Sequence, residues 1–291
     1  MNDLSPSINV ELNNISEWLS INKLSLNVKK TKYMIFHPKE KNISNVKLNL
    51  EINKYPIDRV SDFNFLGLTI DENVDWKQHI QKVSTKLSRT LGALCRLKKY
   101  LPGNILRLLY NSLVLPHLQY GILIWGFKPG RLFKLQKRAM RIITNSKYNA
   151  HTEPIFRRLN LLKVEDIFRC NALRFVFKLF NDGLPTYFID TLLTNGPSHT
   201  YPTRESNKLN NSLRKYRRNT SGAKDCIRHY IHELLNDTDI IITDKIFSHS
   251  YNGFSRYIKQ YTISHYCVNC TIHNCYVCSQ QDSASRSSTD L

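Results

Sequence analysis

The amino-acid sequence predicts an α+β chain that is mostly helical, with a small strand-bearing piece first and a helical body after it. Three observations predict this. Short apolar or alternating runs fall between Tyr33 and Ile70. From Trp76 onward apolar residues recur every three or four positions over long stretches, which is helical periodicity. Pro and Gly sit between those stretches, where helices end. With 291 residues, 41% hydrophobic and 22% charged, the chain can bury a core without disulfide staples.

The elements follow in order. Ile8, Leu12, Ile15 and Leu19 mark an amphipathic helix, with Trp18 beside them and Pro6 just before. Tyr33-Met34-Ile35-Phe36 reads as a strand ended by Pro38. Val46, Leu48, Leu50 and Ile52 alternate with polar neighbours, as a half-buried strand does. Asp62 to Ile70 reads as a further strand, with Gly67 allowing close approach to the backbone. Trp76, Ile80, Val83, Leu87, Leu91, Leu94 and Leu101 line one face of a long helix ended by Pro102-Gly103. A second helix runs from Ile105 to Leu115 and breaks at Pro116. A third follows Pro129-Gly130, with Leu132, Leu135, Ala139 and Ile142 inward. His151-Thr152-Glu153-Pro154 reads as a helix start with Thr152 as N-cap. Val164 to Asn181 is an apolar helix closed by Asp182-Gly183 and Pro185. Residues 195–219 are polar and turn-rich, and weaker helical patterns follow at Ala223–Leu235 and Phe254–Tyr261. From Ser279 the composition is that of a disordered tail.

Charge is the unusual property. The chain carries 42 Lys+Arg against 23 Asp+Glu, a net +19 with a pI near 9.7. Between Trp76 and Thr152 there are 15 Lys/Arg and no Asp or Glu. Because like charges repel, a merely soluble surface mixes signs. Something anionic lying along this segment explains it best, nucleic acid ahead of an acidic membrane. Arg131, Lys134, Arg138 and Arg141 fall three or four apart and so share a helical stripe. Trp76 and Trp125 suit either base stacking or core packing, and their helical spacing favours core.

Other classes recede. The first 30 residues have no apolar h-region, so an intracellular (cytoplasmic or nuclear) and not secreted protein is expected. The most apolar stretch, Ile105 to Trp125, is interrupted by Arg107, Pro116 and His117, so no membrane partner is expected. In a reducing compartment the seven cysteines read as thiols or metal ligands. Cys267-x2-Cys270-x4-Cys275-x2-Cys278 places four thiols in 12 residues, a donor set for tetrahedral Zn2+. His273 and His265 lie close by. Paired CxxC motifs normally have a longer spacer, and free thiols in a loose tail are the alternative.

Several blocks resemble one family. Trp18-Leu19, Asn22 to Phe36, Phe65-Leu66-Gly67-Leu68-Thr69-Ile70-Asp71, Trp76 and His79-Ile80 are similar to segments of jockey-like, non-LTR (LINE-type) retrotransposon reverse transcriptases. So are Leu109 to Leu118, Tyr120-Gly121, Trp125-Gly126, Leu135 to Arg141 and His151-Thr152-Glu153-Pro154. They occur in family order over residues 10–185. The resemblance implies a C-terminal fragment of an RNA-directed DNA polymerase, a nucleotidyltransferase, whose partners are RNA and DNA as a template–primer duplex. Residues 1–75 would be a remnant of the late palm and 76–194 a basic helical thumb with its extension. Residues 195–262 would be a loosely organised connection with helices, 263–278 a Cys-rich zinc motif and 279–291 a disordered tail. Lys30 takes the place of a lysine thought to help pyrophosphate leave. Phe65, Leu66 and Gly67 take the place of the primer grip. Lys86, Arg89, Arg131, Lys134, Lys137, Arg138 and Arg141 would hold the duplex.

One departure matters as much as the match. Polymerases of this family hold Mg2+ on an Asp-Asp pair, and no Asp-Asp dipeptide occurs in this chain. The sequence is therefore expected to lack the catalytic centre, leaving Mg2+ to the intact parent polymerase. The other reading is a non-catalytic RNA/DNA-binding protein derived from a transposon, with a zinc knuckle. A third is a protein that never folds stably, its strand pieces, 31–70, exposing an unpaired edge or apolar face.

Overall fold

The computed structural model describes residues 4–41, 43, 46–127, 129–181, 183–192, 227–236 and 240–265. The chain divides into two units, Met1–His79 and Ile80–Leu291. The architecture is mostly helical α+β, with short strands confined to the first unit among the described residues.

The first unit opens with α1 (Ser5–Ile21) and a 3-10 turn, Val28–Lys30. Six short strands follow: β1 (Lys32–Tyr33), β2 (Glu51–Ile52), β3 (Tyr55–Pro56), β4 (Asp58–Arg59), β5 (Asp62–Phe65) and β6 (Leu68–Asp71). They form three two-stranded sheets, with β1 parallel to β4, β2 antiparallel to β3 and β5 antiparallel to β6. The expected single strand Asp62 to Ile70 is thus a hairpin. Leu66 and Gly67 turn it with φ of 48° and 81°, the positive pair that a two-residue type I′ loop requires. Gly67 serves this reversal at no steric cost, a different role from the close backbone approach expected of it.

The alternating run Val46 to Ile52 is also shorter as a strand than expected. Only Glu51 and Ile52 pair. Its alternation still selects the inward side chains: Leu48, Leu50 and Ile52 join Ile57 in a small core. Likewise the apolar run at Tyr33 pairs only at Lys32 and Tyr33, where the Tyr33 hydroxyl bridges the Leu48 backbone N–H and C=O at 3.0 Å each.

Helix α1 docks through a different face from the one its spacing predicts. Ile8 and Leu12 do meet the small core. Ile15 and Trp18, however, are 50% and 57% exposed, while Ser5 and Ser16 are buried. Hydrogen bonds explain the rotation. Ser5 Oγ accepts the Asn49 N–H (3.2 Å), Asn9 bonds the Asn49 carbonyl and the Glu51 N–H (3.0 and 3.1 Å), and Ser16 Oγ donates to Asn53 Oδ1 (2.9 Å). A polar seam satisfies the backbone before β2 and leaves Leu4, Ile15 and Trp18 on the surface.

Helix α2 (Lys77–Leu97) leaves the first unit. Asp75 Oδ1 accepts the Lys77 N–H at 3.0 Å, occupying one of the orphan donors at the helix start. His79 is buried and its Nδ1 accepts the Thr69 N–H at 3.3 Å, tying the start of α2 to β6.

The second unit continues with α3 (Gly103–Leu113), α4 (Leu115–Gln119), α5 (Ile122–Trp125), α6 (Gly130–Ile143) and α7 (Glu153–Arg158). It is completed by α8 (Val164–Phe180), α9 (Thr186–Leu192), α10 (Ile227–Asn236), α11 (Ile240–Ser248) and α12 (Tyr251–Ser264). Pro116 does not simply break a helix. It opens α4 from the first turn, where its missing N–H costs nothing. Thr152 does precede α7, but its side chain makes no cap hydrogen bond; it is buried instead.

The core forms as the periodicity demands. Leu87, Leu91 and Leu94 of α2 are fully buried, each burial stabilising by about 1.5–3 kcal/mol. Cys170, Leu173, Val176 and Phe177 of α8 share one cluster with Ile231 and Leu234 of α10, Ile246 of α11, and Phe254 and Ile258 of α12. The described helices after residue 227 therefore belong to the body of the second unit. The turn-rich residues 195–219 and the tail from 279 lie outside the described residues.

Candidate nucleic-acid interface

Two side-chain hydrogen bonds link α2 and α6, one between their starts and one just past their ends. Arg131 Nη1, at the start of α6, donates to Gln81 Oε1 near the start of α2. Lys98, just past the end of α2, donates from Nζ to Asn145 Oδ1, just past the end of α6, at 3.4 Å. Two rows of cations follow from this pairing. Lys86 and Arg89 are exposed on α2, and Lys134 and Arg138 are exposed on α6.

The stripe read from sequence is not uniform. Arg131 bonds Gln81 and so helps join the two helices. Arg141 is half-buried, and its Nε donates to the Ala150 carbonyl at 2.9 Å. Lys137 lies 4.3 Å from the centre of the Phe133 ring. Of the seven cations read from the sequence as duplex-holding, Lys86, Arg89, Lys134 and Arg138 are exposed and make no side-chain bond or ring contact among the described residues, and these four are best placed to meet a phosphate chain.

The local field is positive. Burial first, and Lys86 second, hold the pKa of His117 on α4 below its ordinary value. His151 is lowered by burial, opposed by Glu153, and lowered further by Lys137, Lys163 and Arg141. Both imidazoles stay neutral near pH 7. Histidine charge therefore adds nothing there to the lysines and arginines.

The remaining motif residues build the scaffold. Gln136 on α6 is fully buried. Its Nε2 donates to the Tyr110 hydroxyl and the Leu162 carbonyl, both at 2.9 Å, and its Oε1 accepts the Val164 N–H at 2.8 Å. One carboxamide thus joins α3, α6 and the start of α8. Trp125 is 1% exposed and donates Nε1–H to the Tyr120 carbonyl at 2.8 Å. A Cβ on Gly126 would collide with the Ile122 carbonyl and the Phe168 ring. Trp76 is 8% exposed. Both tryptophans fill core and neither offers a face for stacking.

In the first unit, Phe65 and Leu66 are exposed at the β5–β6 tip, 56% and 74%. Lys30 ends the 3-10 turn, exposed, with its N–H bonded to Asn27 Oδ1 at 3.2 Å. The open cleft beside it is lined by Lys29 and Lys32, not by Lys30. Cys267, Cys270, Cys275 and Cys278 lie outside the described residues. Among the described residues no group of three or more His, Cys, Asp or Glu is placed to hold a metal ion. No described helix is long and apolar enough to cross a membrane.

Over 172 residues, 57% of its length, the chain is 28% identical to a Drosophila melanogaster protein described as a probable RNA-directed DNA polymerase from transposon BS. The chain is related to retrotransposon reverse transcriptases. The similarity spans 19% of that polymerase's length. No protein-family model and no solved structure matches the chain. Tyr110, Trp125 and Gln136, each within a block that carries the resemblance, are packing and hydrogen-bonding positions in the core.

Proposed function

We propose that this chain is the C-terminal, nucleic-acid-holding portion of a retrotransposon RNA-directed DNA polymerase, and that it grips a template–primer duplex without copying it. The paired α2 and α6 cations carry this reading. A polyanion neutralised along two adjacent helices releases its counterions, and that release drives binding without reading sequence. The similarity to a transposon polymerase supports the choice of nucleic acid over other polyanions. The exposed tip Phe65–Gly67 would hold the primer end, offering an aromatic ring to a terminal base. Lys30 is a surface cation in this reading, since no metal-bound triphosphate lies within the chain's own chemistry.

Copying needs carboxylates that hold two divalent ions. The sequence supplies no Asp-Asp pair. Purified protein incubated with a primed RNA template, dNTPs and Mg2+ or Mn2+ is therefore expected to incorporate nothing. Extension of the primer would overturn the non-copying half of the proposal.

The same proposal gives the four tail cysteines a Zn2+, because four closely spaced thiolates match its tetrahedral preference. Metal analysis should find about one zinc per chain, lost when Cys267 and Cys270 are changed to Ser. Full reactivity of all four thiols in untreated protein would remove zinc from the account.

A further inference from the structure

An open cleft of about 450 Å³ lies where the start of α3 meets the end of α6. Asn104, Arg107, Leu108 and Asn111 line it from α3, positions that share one face of that helix. Ile143, the last residue of α6, and Leu159, just past α7, complete its lining. Gly103 keeps the junction tight, since a Cβ there would come within 3.1 Å of the Ile143 carbonyl. The volume falls in the range of roughly 300–1,000 Å³ found for small-ligand sites.

The lining chemistry narrows the occupant. No Asp or Glu lines the cleft, and its one charge is the half-buried guanidinium of Arg107. The side chains of Asn104, Arg107 and Asn111 make no hydrogen bond or ion pair among the described residues. Each carboxamide offers donors and an acceptor, the complement of a base edge. A guanidinium fork matches phosphate oxygens. Leu108, Ile143 and Leu159 supply apolar surface for the face of a flat ring. Together these groups suit a nucleotide whose base is unpaired, because pairing would occupy the edge that the amides read.

The neighbouring cations indicate where such a nucleotide comes from. Ile143 lies five residues past Arg138 on α6, roughly 7.5 Å along the helix axis. That is about two steps of a strand whose phosphates repeat every ~3.4 Å. We propose that this cleft binds an unpaired nucleotide of a single RNA strand that runs off the duplex past the C-terminal end of α6. The source of that strand rests on the proposed function, whereas binding of single-stranded RNA in the cleft stands without it.

Fluorescence anisotropy of the full chain with three labelled probes tests the cleft: a blunt RNA–DNA hybrid, the same hybrid with a short single-stranded RNA extension at either end, and the extension RNA alone. An extension should tighten binding of the hybrid about tenfold. Arg107→Met keeps an apolar stem, and Asn104 and Asn111 are exposed, so the fold should survive Arg107→Met and the double change Asn104→Ala with Asn111→Ala. Both variants should lose the gain and still bind the blunt hybrid as the wild type does. Changing Lys86, Arg89, Lys134 and Arg138 to Ala should weaken both hybrids and keep the ratio between them. Absent binding of the blunt hybrid, with the extension RNA still held by the wild type and lost by the cleft variants, would sink the duplex reading and support the cleft. Extensions that add nothing at either end, or a gain that persists in folded cleft variants, would overturn the proposal.

Discussion

Changing Lys86, Arg89, Lys134 and Arg138 together to alanine should flatten the salt dependence of duplex binding. Each phosphate contact contributes roughly 0.9 to the slope of log affinity against log salt. Four lost contacts should therefore reduce the slope by roughly 3–4. All four side chains are exposed on α2 and α6, so the fold should survive the change. Arg131 and Arg141 are deliberately left alone, because their bonds to Gln81 and to the Ala150 carbonyl hold structure. Fluorescence anisotropy of a labelled RNA–DNA hybrid across a salt series measures the slope. An unchanged slope with a folded variant would remove these helices from the interface.

Changing Gln136 to Ala should be the most damaging single substitution in the body. It strands the Val164 N–H, the Leu162 carbonyl and the Tyr110 hydroxyl in a closed core. A cavity adds to the loss, and the expected cost is about 3–5 kcal/mol. Arg138→Ala, two residues along on the exposed face, should cost under about 0.5 kcal/mol. Denaturant unfolding compares the two. The same network has a pH signature. Burial, partly offset by the Gln136 bond, pushes the Tyr110 phenol up to about 12. The neutral phenol is favoured in the folded state. Its stability is fully present below pH 10 and declines between pH 10 and about 12 as the unfolded chain ionises first. Tyr110→Phe should remove that alkaline decline.

Periodicity made the helical body legible because it reports which side chains face inward. Spacing alone puts Leu87, Leu91 and Leu94 on one apolar face of α2, and they are buried. The first unit was less legible for a physical reason. Its strands are two to four residues long, too short for alternation to say where pairing stops. The turn at Leu66-Gly67 follows from paired positive φ values, which the apolar spelling of that run conceals. The burial of Ser5 and Ser16 follows from hydrogen bonds to residues about 40 positions away. Helical spacing carries no trace of such bonds.

The charge stripe was legible as a count and less so as a surface. Spacing placed Arg141 with Lys134 and Arg138, while the Ala150 carbonyl draws its guanidinium inward. Gln136 was visible only as part of a family motif, and its role emerges where α3, α6 and α8 meet.

The central claim is that nucleic acid lies along α2 and α6, and lysine protection tests it most directly. The wild-type chain is acylated with an amine-reactive reagent with and without an RNA–DNA hybrid, and modification is read residue by residue by mass spectrometry. Lys86 and Lys134 should be shielded by the duplex, while Lys178, exposed on α8, should react equally in both samples. Equal reactivity of Lys86 and Lys134 with saturating duplex bound would contradict the account.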